Sequence, residues 1–296
     1  MEIQRKLPVL WEKQLFNLII LALLMVLYTP LILHWCDGWL NKSIDIEHEY
    51  FSHGIIGLPY AAYITWLNRQ KWQNLENISH PLALLLFVAA ALCYVTGMWD
   101  LVNLSLPLML AGLCLWLKGI PGLRLHGFAL LLVLLSAPNA VPYLIAPYTL
   151  PLQKLIASTA GFILVQLGIN VTVEEIYLAV GGRLVEVAPY CAGLKMLFTT
   201  LYVALMVLHW TDTINSRRKT ISLLSGAIFI SVAGNIIRNT LLTYFHGTGN
   251  EEAFIWLHDS WGGDVYSACL LGLVVVFHIK IVEKIKEKQL VETRKN

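Results

Sequence analysis

Long apolar runs alternate with short polar segments along the whole chain. A helix of about 20 apolar residues spans the hydrocarbon core of a bilayer, so each such run predicts a transmembrane helix. The pattern therefore predicts an all-α, polytopic membrane protein with about eight transmembrane helices. The predicted spans are 14–35, 54–67, 80–97, 101–117, 125–146, 192–209, 220–245 and 263–281.

One further apolar stretch, 150–168, is ambiguous because it carries a lysine and two glutamines. Lysine and arginine residues decide its assignment, since they concentrate in the cytoplasmic loops of membrane proteins. With eight spans, the cluster Arg217–Lys219 and the basic tail 282–296 lie on the same side as the basic N-terminal segment 1–13. A ninth span would place that cluster and the tail outside. We therefore expect 150–168 to be an interfacial or re-entrant helix, with both termini cytoplasmic.

Segment 169–190 has the pattern of extended chain. Aliphatic residues alternate with others on both sides of Gly181-Gly182, and Pro189 ends the stretch. Alternation of this kind predicts strands, and paired glycines predict the tight turn between them. The segment therefore predicts a small β-hairpin on the outer face of the membrane, directly before Cys191.

Composition agrees with a membrane protein. The chain has 296 residues, of which 57% are hydrophobic and 14% are charged, whereas soluble domains carry about 25% charged residues. The apolar runs leave no long soluble segment, so residues 1–296 are expected to form one transmembrane domain surrounded by membrane lipid. The basic tail follows a span directly, which is typical of a cytoplasmic flank rather than of a nucleic-acid-binding patch.

Arg238 is the most informative polar residue. It lies inside the span 220–245, with Asn235 one helical turn before it. An arginine within a transmembrane helix costs at least about 2.5–3.5 kcal/mol, so it must face a protein-lined cavity or an anion. The alternative is that its long side chain reaches the outer interface and has only a structural partner there.

Cys191 lies at the predicted outer end of the span 192–209. A helix N-terminus favours the thiolate form of a cysteine, so Cys191 is a candidate nucleophile. The small residues after it, including Gly193, leave room for the backbone of a substrate. The alternatives are an inert interfacial cysteine and a disulfide with Cys36, which also lies at the end of a span.

Two histidines lie at the same predicted membrane level. His258 precedes the last span, and His53 precedes the second span. An imidazole suits proton transfer near neutral pH, although a structural histidine at the interface explains each position equally well. The spacing of histidines and cysteines matches no metal motif, and no phosphate-binding glycine loop occurs, so we expect neither a metal nor another cofactor.

At these residues the sequence resembles the exosortases and their archaeal relatives, the archaeosortases, over most of the chain from about Glu47 to Gly272. The order and spacing of several short motifs within the eight-span frame carry the resemblance, and the look of the cysteine motif suggests a cyanobacterial branch. The motifs are Tyr50-Phe51-Ser52-His53-Gly54, Pro138 to Pro142, Cys191–Leu194, Asn235–Arg238 and His258–Gly262. The sequence departs from the commonest pattern at Ala192, where many relatives have serine.

The resemblance implies a cysteine transpeptidase of the plasma (inner) membrane, a peptidase of the hydrolase class whose active site is on the extracytoplasmic face. Its substrates would be exported proteins with a C-terminal sorting signal, which consists of a Pro-Glu-Pro-like motif, a transmembrane helix and a basic tail. The acceptor nucleophile is unknown. By this resemblance Cys191 would be the nucleophile, Arg238 the stabiliser of the oxyanion or the substrate, and His258 the acid/base. The residues expected to bind substrate or assist are His53, Asn235, Gly193 and Tyr190.

Two other functions remain open from the sequence. A transporter or carrier also uses intramembrane arginines and re-entrant segments, but no internal repeat relates the two halves of the chain, and transport does not need Cys191. An intramembrane protease with the same residues would hydrolyse the substrate instead of transferring it. Both enzymes would begin with the same acyl-enzyme, so the sequence does not separate them.

Overall fold

The computed structural model describes residues 3–40, 50–188 and 193–295, most of which are helical. The helices are α1 (Ile3–Leu40), α2 (Gly54–Leu67), α3 (Arg69–Asn74), α4 (Leu82–Val95), α5 (Trp99–Ser136), α6 (Val141–Ile145), α7 (Leu150–Gln166), α8 (Leu194–Trp210), α9 (Arg217–Gly247), α10 (Glu251–His258) and α11 (Trp261–Lys295). A 3₁₀ turn, Ala146–Thr149, joins α6 to α7. Three strands, β1 (Val171–Glu174), β2 (Tyr177–Val180) and β3 (Arg183–Glu186), form an antiparallel sheet in that order.

Five helical stretches among the described residues are long and apolar enough to cross a membrane. They are Ala22–Leu40, Trp99–Ser136, Val141–Gln166, Arg217–Gly247 and Trp261–Glu283. Helices α2, α4 and α8 are apolar but shorter. The predicted multi-pass helical architecture is therefore confirmed. The chain divides into two compact units, Met1–Asn139 and Ala140–Asn296.

In the first unit, the chain reverses direction within α5 at Gly119. This residue has φ +62° and ψ −154°, which lies outside the helical region. The side-chain amide of Asn103 donates a hydrogen bond of 2.8 Å to the carbonyl of Pro138, although a straight helix would separate these residues by about 50 Å. The two halves of α5 are therefore antiparallel, which agrees with the separate spans predicted at 101–117 and 125–146.

The predicted end of the fifth span at residue 146 is wrong. Helix α5 ends at Ser136, and α6 begins only at Val141. Pro138 accounts for the break, because the residue before a proline is disfavoured in the helical conformation, and Ala137 is extended with ψ 116°. The apolar run continues across this break, so hydropathy alone does not mark it.

Buried polar pairs join α1 to the first half of α5. The indole nitrogen of Trp35 donates to Asn103 Oδ1 at 2.7 Å, and the hydroxyl of Tyr28 donates to Ser105 Oγ at 3.2 Å. All four side chains are buried. Polar groups buried between membrane helices need such partners, because the hydrocarbon offers none.

In the second unit, α8, α9 and α11 pack together through small and aliphatic side chains. This core consists of Ala204, Leu208, Leu223, Ala227 and Val274. It lies towards the end of the unit where α9 begins with the basic residues Arg217–Lys219. Thr211, at the end of α8, bonds to His278 of α11 at 2.9 Å and so belongs to the same end.

The sheet packs at the other end, against α7 and the C-terminal part of α9. The buried residues of this contact are Ile156, Ala157 and Ala160 of α7 and Leu178 and Val187 of the sheet segment, with Ile236 of α9 beside them. The side chain of Gln153 donates to the carbonyl of Val187 at 2.9 Å. Gly247 has no side chain where the end of α9 meets Val180, and a Cβ there would overlap Val180. The sheet therefore lies along α7 rather than beyond its end.

The structure confirms the turn at Gly181-Gly182 and adds a third strand to the predicted hairpin. The chain before these glycines, in which aliphatic and other residues alternate, folds back on itself at Glu175-Ile176. Glu175 has φ +57° in this turn. A glutamate followed by an isoleucine is not a typical turn dipeptide, since left-handed turn positions favour glycine, asparagine and aspartate. This explains why the sequence predicts one strand where the structure has β1 and β2.

Replacing Gly119 by alanine should destabilise the protein by about 1–3 kcal/mol, because its backbone conformation is strained for any residue with a side chain. A Cβ at Gly119 would also lie 3.0 Å from the carbonyl oxygen of Ile78. Gly127 in the same helix has open space at its Cβ position, so Gly127→Ala is the matched control. Thermal unfolding of the purified variants in detergent measures both effects. Equal midpoints for the two variants would contradict the reversal at Gly119.

Candidate active site

Four of the residues predicted for the site, Gly193, Asn235, Arg238 and His258, lie at the sheet end of the second unit, opposite Arg217–Lys219. Three segments that are distant in sequence contribute to this region. They are the start of α8, the C-terminal part of α9 and the end of α10. The contacts of Gly193, Asn235, Arg238 and His258 define the region.

Gly193 begins α8 in a conformation that requires glycine. Its φ is +80°, and a Cβ at this position would lie 2.7 Å from the side chain of Asn235. Its carbonyl accepts the first helical hydrogen bond from Leu197 at 2.8 Å. The N-terminal residue of α8 is therefore held directly against α9, one turn before Arg238.

Two asparagines of α9 are almost completely buried beside this loop. Asn235 and Asn239 are 1% and 2% exposed. The side-chain amide of Asn239 donates to the carbonyl of Asn235 at 2.9 Å. Buried amide groups in proteins are nearly always hydrogen-bonded. The two asparagines therefore form a polar region inside an otherwise apolar helix bundle.

Arg238 is half-buried and points towards α10. Its Nη2 lies 3.5 Å from the carbonyl oxygen of Leu257 and close to Gly263, where a Cβ would be 3.7 Å away. Its Nε is buried and has no hydrogen-bond partner among the residues that the structure describes. The guanidinium group is therefore held against the main chain that leads into His258, with one buried donor unpaired among the described residues.

His258 ends α10 and forms a pair with Asp259. Its Nδ1 is 2.6 Å from Asp259 Oδ1. A carboxylate oxygen only accepts hydrogen bonds, so Nδ1 carries the proton and, in the neutral ring, Nε2 carries the lone pair. The ring stacks on Phe254 with 5.2 Å between the ring centres and 8° between the planes. Both contacts orient the imidazole as a proton acceptor through Nε2.

A small cavity of about 200 Å³ lies beside His258. Strand β3, α9 and α10 each contribute part of its wall. The lining residues are Leu184, Val185, Glu186, Asn239, Leu242, His246, Phe254 and His258. The cavity combines apolar walls with titratable side chains, which is typical of a site that binds and reacts.

A charged cluster anchors the β2–β3 turn to the helices around this cavity. Arg183 pairs with Glu251 at the start of α10 and also donates to the carbonyl of His246 at 3.3 Å. His246 Nδ1 lies 3.4 Å from the same Glu251 carboxylate. Because one carboxylate joins β3 to α9 and α10, the cavity walls are held in a fixed arrangement.

Two of the predicted site residues, Tyr190 and Cys191, lie outside the described residues. Gly193, which follows Cys191 by two residues, is described, and its contact with Asn235 is given above. Cys36 is a free thiol in the structure, and the disulfide with Cys191 that the sequence left open lies outside the described residues.

His53 belongs to the first unit and has a structural environment there. It is 4% exposed, and its Nε2 donates to the carbonyl of Leu135 at 3.0 Å. Burial lowers the pKa of His53, although hydrogen bonds to the carbonyls of Leu135 and Tyr50 oppose that shift. The ring is therefore neutral at pH 7 and joins the start of α2 to the end of α5.

The sequence did not single out Asp259, Glu186 or His246. Asp259 follows a candidate histidine directly, so this adjacency was a usable signal for an orienting carboxylate. Glu186 and His246 gave no such signal, because their approach to His258 depends on how β3, α9 and α10 pack.

Comparison with known proteins gives one match. A family model described as transmembrane exosortase matches residues 39–275, which is most of the chain. The matched range includes His53, Cys191, Arg238 and His258. No curated protein and no solved structure matches the chain significantly.

His53→Gln should weaken the dependence of stability on pH. Since burial lowers the pKa of His53 in the folded state, the unfolded chain binds its proton more readily, and stability falls as the pH drops below about 6.5. Glutamine does not titrate but can still donate to the Leu135 carbonyl. The measurement is the unfolding midpoint from pH 8 to pH 5. The difference between the two unfolding midpoints at pH 8 measures any loss of packing in the variant. If the midpoints of both proteins fell in parallel as the pH drops, the assignment of the pH dependence to His53 would be refuted.

Proposed function

The chain belongs to the transmembrane exosortase family, and we propose that it is a cysteine transpeptidase of the plasma membrane. In this proposal it cleaves the C-terminal sorting signals of exported proteins and transfers the remaining protein to an acceptor. The observation that best supports this proposal is that three segments distant in sequence meet at one end of the second unit. Gly193 lies against Asn235, and Arg238 lies against the main chain next to His258.

The membrane orientation in the proposal follows from two features of the second unit. The site and the cluster Arg217–Lys219 lie at opposite ends of α9. Because basic residues concentrate on the cytoplasmic side, the site end is the extracytoplasmic end.

The sheet supports eight crossings rather than nine. By length and composition, Val141–Gln166 could cross a membrane. However, the sheet lies along α7, and Lys154 near the start of α7 pairs with Glu175 in the first turn of the sheet. An open sheet edge is not tolerated in hydrocarbon, because its main-chain groups would have no partners. We therefore assign α7 to the outer interface, and the eight remaining helical segments return both termini to the cytoplasm.

Covalent chemistry begins at Cys191 in this mechanism. The thiolate attacks the carbonyl carbon of the scissile peptide bond, so a carbon–sulfur bond forms and the carbonyl oxygen becomes negative. Collapse of this intermediate breaks the carbon–nitrogen bond and leaves a thioester. Gly193 follows Cys191 by two residues in the sequence and lies against Asn235, which supports a nucleophile that acts together with Arg238.

Arg238 is assigned to the developing oxyanion. It presents a full positive charge and a buried Nε donor with no partner among the described residues. A donor placed before the reaction at a site with little water stabilises such an intermediate by about 3–4 kcal/mol. An arginine with this role has a reason to occupy a membrane helix despite its insertion cost.

His258 is assigned to the proton transfers. With Nδ1–H bonded to Asp259, its Nε2 takes the proton of the Cys191 thiol and then delivers it to the leaving amine. It next removes a proton from the incoming acceptor, which attacks the thioester and releases Cys191. Asp259 holds the tautomer that this sequence of steps requires, in the role that an aspartate has in serine-protease triads.

Cys191→Ala should reduce processing of a co-expressed exported protein with a Pro-Glu-Pro-like C-terminal signal to background, because no thioester can form. Cys269→Ala is the matched control. Cys269 is an exposed free thiol of α11, so this variant should retain activity. Mass spectrometry of the new C-terminus separates transfer from hydrolysis. Processing by Cys191→Ala at the wild-type rate would contradict the whole mechanism, whereas a free carboxylate as sole product would leave a protease.

His258→Ala should slow processing by about 10²–10⁴-fold, the range typical of a general acid or base. Asp259→Asn should cause a smaller loss, because Asp259 is exposed and water partly replaces its hydrogen bond. Glu252→Gln, an exposed change in the same helix, serves as the control. Single-turnover rates with reconstituted substrate give the comparison. A full-rate Asp259→Asn enzyme would remove Asp259 from the mechanism.

A further inference from the structure

Strand β3 is an edge of the sheet with a defined set of outward-facing main-chain groups. The sheet order is β1-β2-β3, and Leu178 opposes Val185. The N–H of Val187 bonds to the carbonyl of Ile176 at 2.9 Å, so in the antiparallel ladder Val185 and Val187 face β2. The N–H and carbonyl groups of Leu184 and Glu186 consequently point away from the sheet.

These outward groups have no hydrogen-bond partners within the described part of the chain. The Leu184 side chain is 61% exposed. Unpaired edge strands attract other extended chains, and soluble proteins usually block them. Here Arg183 and Glu186 alone carry charge on the strand, which lines the cavity beside His258 together with α9 and α10.

The edge of β3 also forms one wall of the cavity beside His258. Leu184, Val185 and Glu186 are consecutive lining residues, as expected when the strand presents its edge. The opposite wall contains His258 and the apolar side chains of Leu242 and Phe254. A chain paired with β3 would therefore pass next to the imidazole.

The strand leads directly to the nucleophile of the proposed mechanism. Five residues separate Glu186 from Cys191, which is at most about 17 Å of extended chain. Gly193, two residues later, contacts Asn235 on the same part of α9 that lines the cavity. A substrate held along β3 thus lies beside His258 and on the part of α9 that contacts the start of α8.

We propose that β3 binds the extended recognition segment of the sorting signal by pairing with it as a fourth, antiparallel strand. This inference rests on the proposed function and specifies how that function selects its substrate. Main-chain hydrogen bonds supply the affinity in such strand addition, and the side chains at alternate positions supply the specificity.

The spacing of a Pro-x-Pro motif fits this pairing. A proline has no N–H, so it is tolerated in a sheet only where that group would face away from the neighbouring strand. Two prolines separated by one residue both occupy outward positions, because a strand has a period of two. The middle residue then exchanges both of its main-chain hydrogen bonds with β3.

The side chains select the register. Leu184 and Glu186 share the exposed face of the sheet, and Val185 shares the opposite face with the buried Leu178. An acidic middle residue opposite Glu186 would place like charges together, which is unfavourable. It therefore pairs with Leu184, and the flanking prolines lie on the Val185 side near Leu242 and Phe254.

The test compares Leu184→Pro with Leu184→Ala, both in the Cys191→Ala protein so that no turnover occurs. The probe is a fluorescent peptide with a Pro-Glu-Pro segment, and binding is measured by anisotropy in detergent. Alanine keeps the outward N–H of residue 184 and removes only side-chain contact, so it should raise the dissociation constant much less than proline does. Proline removes that N–H and should raise it about tenfold, the effect of one lost hydrogen bond. Equal affinities for both variants would overturn the pairing.

A second measurement keeps the test valid if Leu184→Pro does not fold, which thermal unfolding will show. A peptide with an N-methyl group on the glutamate should bind the Leu184-containing protein about tenfold more weakly than the parent peptide. The Leu184→Pro variant and the N-methyl peptide together should weaken binding no more than either change alone, since both remove the same strand pairing. Unchanged binding of the N-methyl peptide, or no binding of the parent, would refute the proposal. Processing by Cys191→Ala would instead refute the proposed function itself.

Discussion

The need to satisfy main-chain hydrogen bonds in hydrocarbon determines how the second unit can sit in a membrane. Its small sheet has open edges and charged residues at both turns, so the sheet must lie outside the hydrocarbon. The sheet is packed along α7 and the last turns of α9, so these turns lie at the interface too. Arg238, nine residues before the end of α9, is therefore close to the boundary. The free-energy cost of placing the Arg238 charge is lower there than at the bilayer centre, while its surroundings still hold little water.

Much of the helical frame was predictable because hydrophobic runs report directly on transmembrane helices. The runs at 54–67 and 220–245 correspond closely to α2 and α9. The reversal of α5 at Gly119 lies between the predicted spans 101–117 and 125–146, so it was anticipated. The error occurs where one residue ends a helix inside an apolar run, as Pro138 does at the end of α5. Hydropathy averages over many residues, so it does not detect such positions unless backbone preferences are considered separately.

The candidate site was predictable to a different extent for each residue. Arg238 was identified through its insertion cost, and the structure places it beside the main chain next to His258. His53 carried the same sequence signal as His258, and the structure adds its burial and its bond to the Leu135 carbonyl in the first unit, while its accessory role stays a prediction. Asp259 was missed although it adjoins His258, because a carboxylate in an exposed loop usually has no special role. Side-chain geometry was needed to separate these cases.

The arrangement around His258 separates the tasks of the proposed enzyme between main chain and side chains. Stacking on Phe254 and the bond to Asp259 hold the imidazole, while the edge of β3 offers only backbone groups to a substrate. Backbone pairing recognises an extended chain with little regard to its side chains, which suits an enzyme that must accept many exported proteins sharing one short motif. The prolines of that motif then contribute twice, since they stiffen the bound conformation and exclude pairing in the other register. In the proposed pairing, selection of substrates by the spacing of prolines thus follows from the edge of a three-stranded sheet.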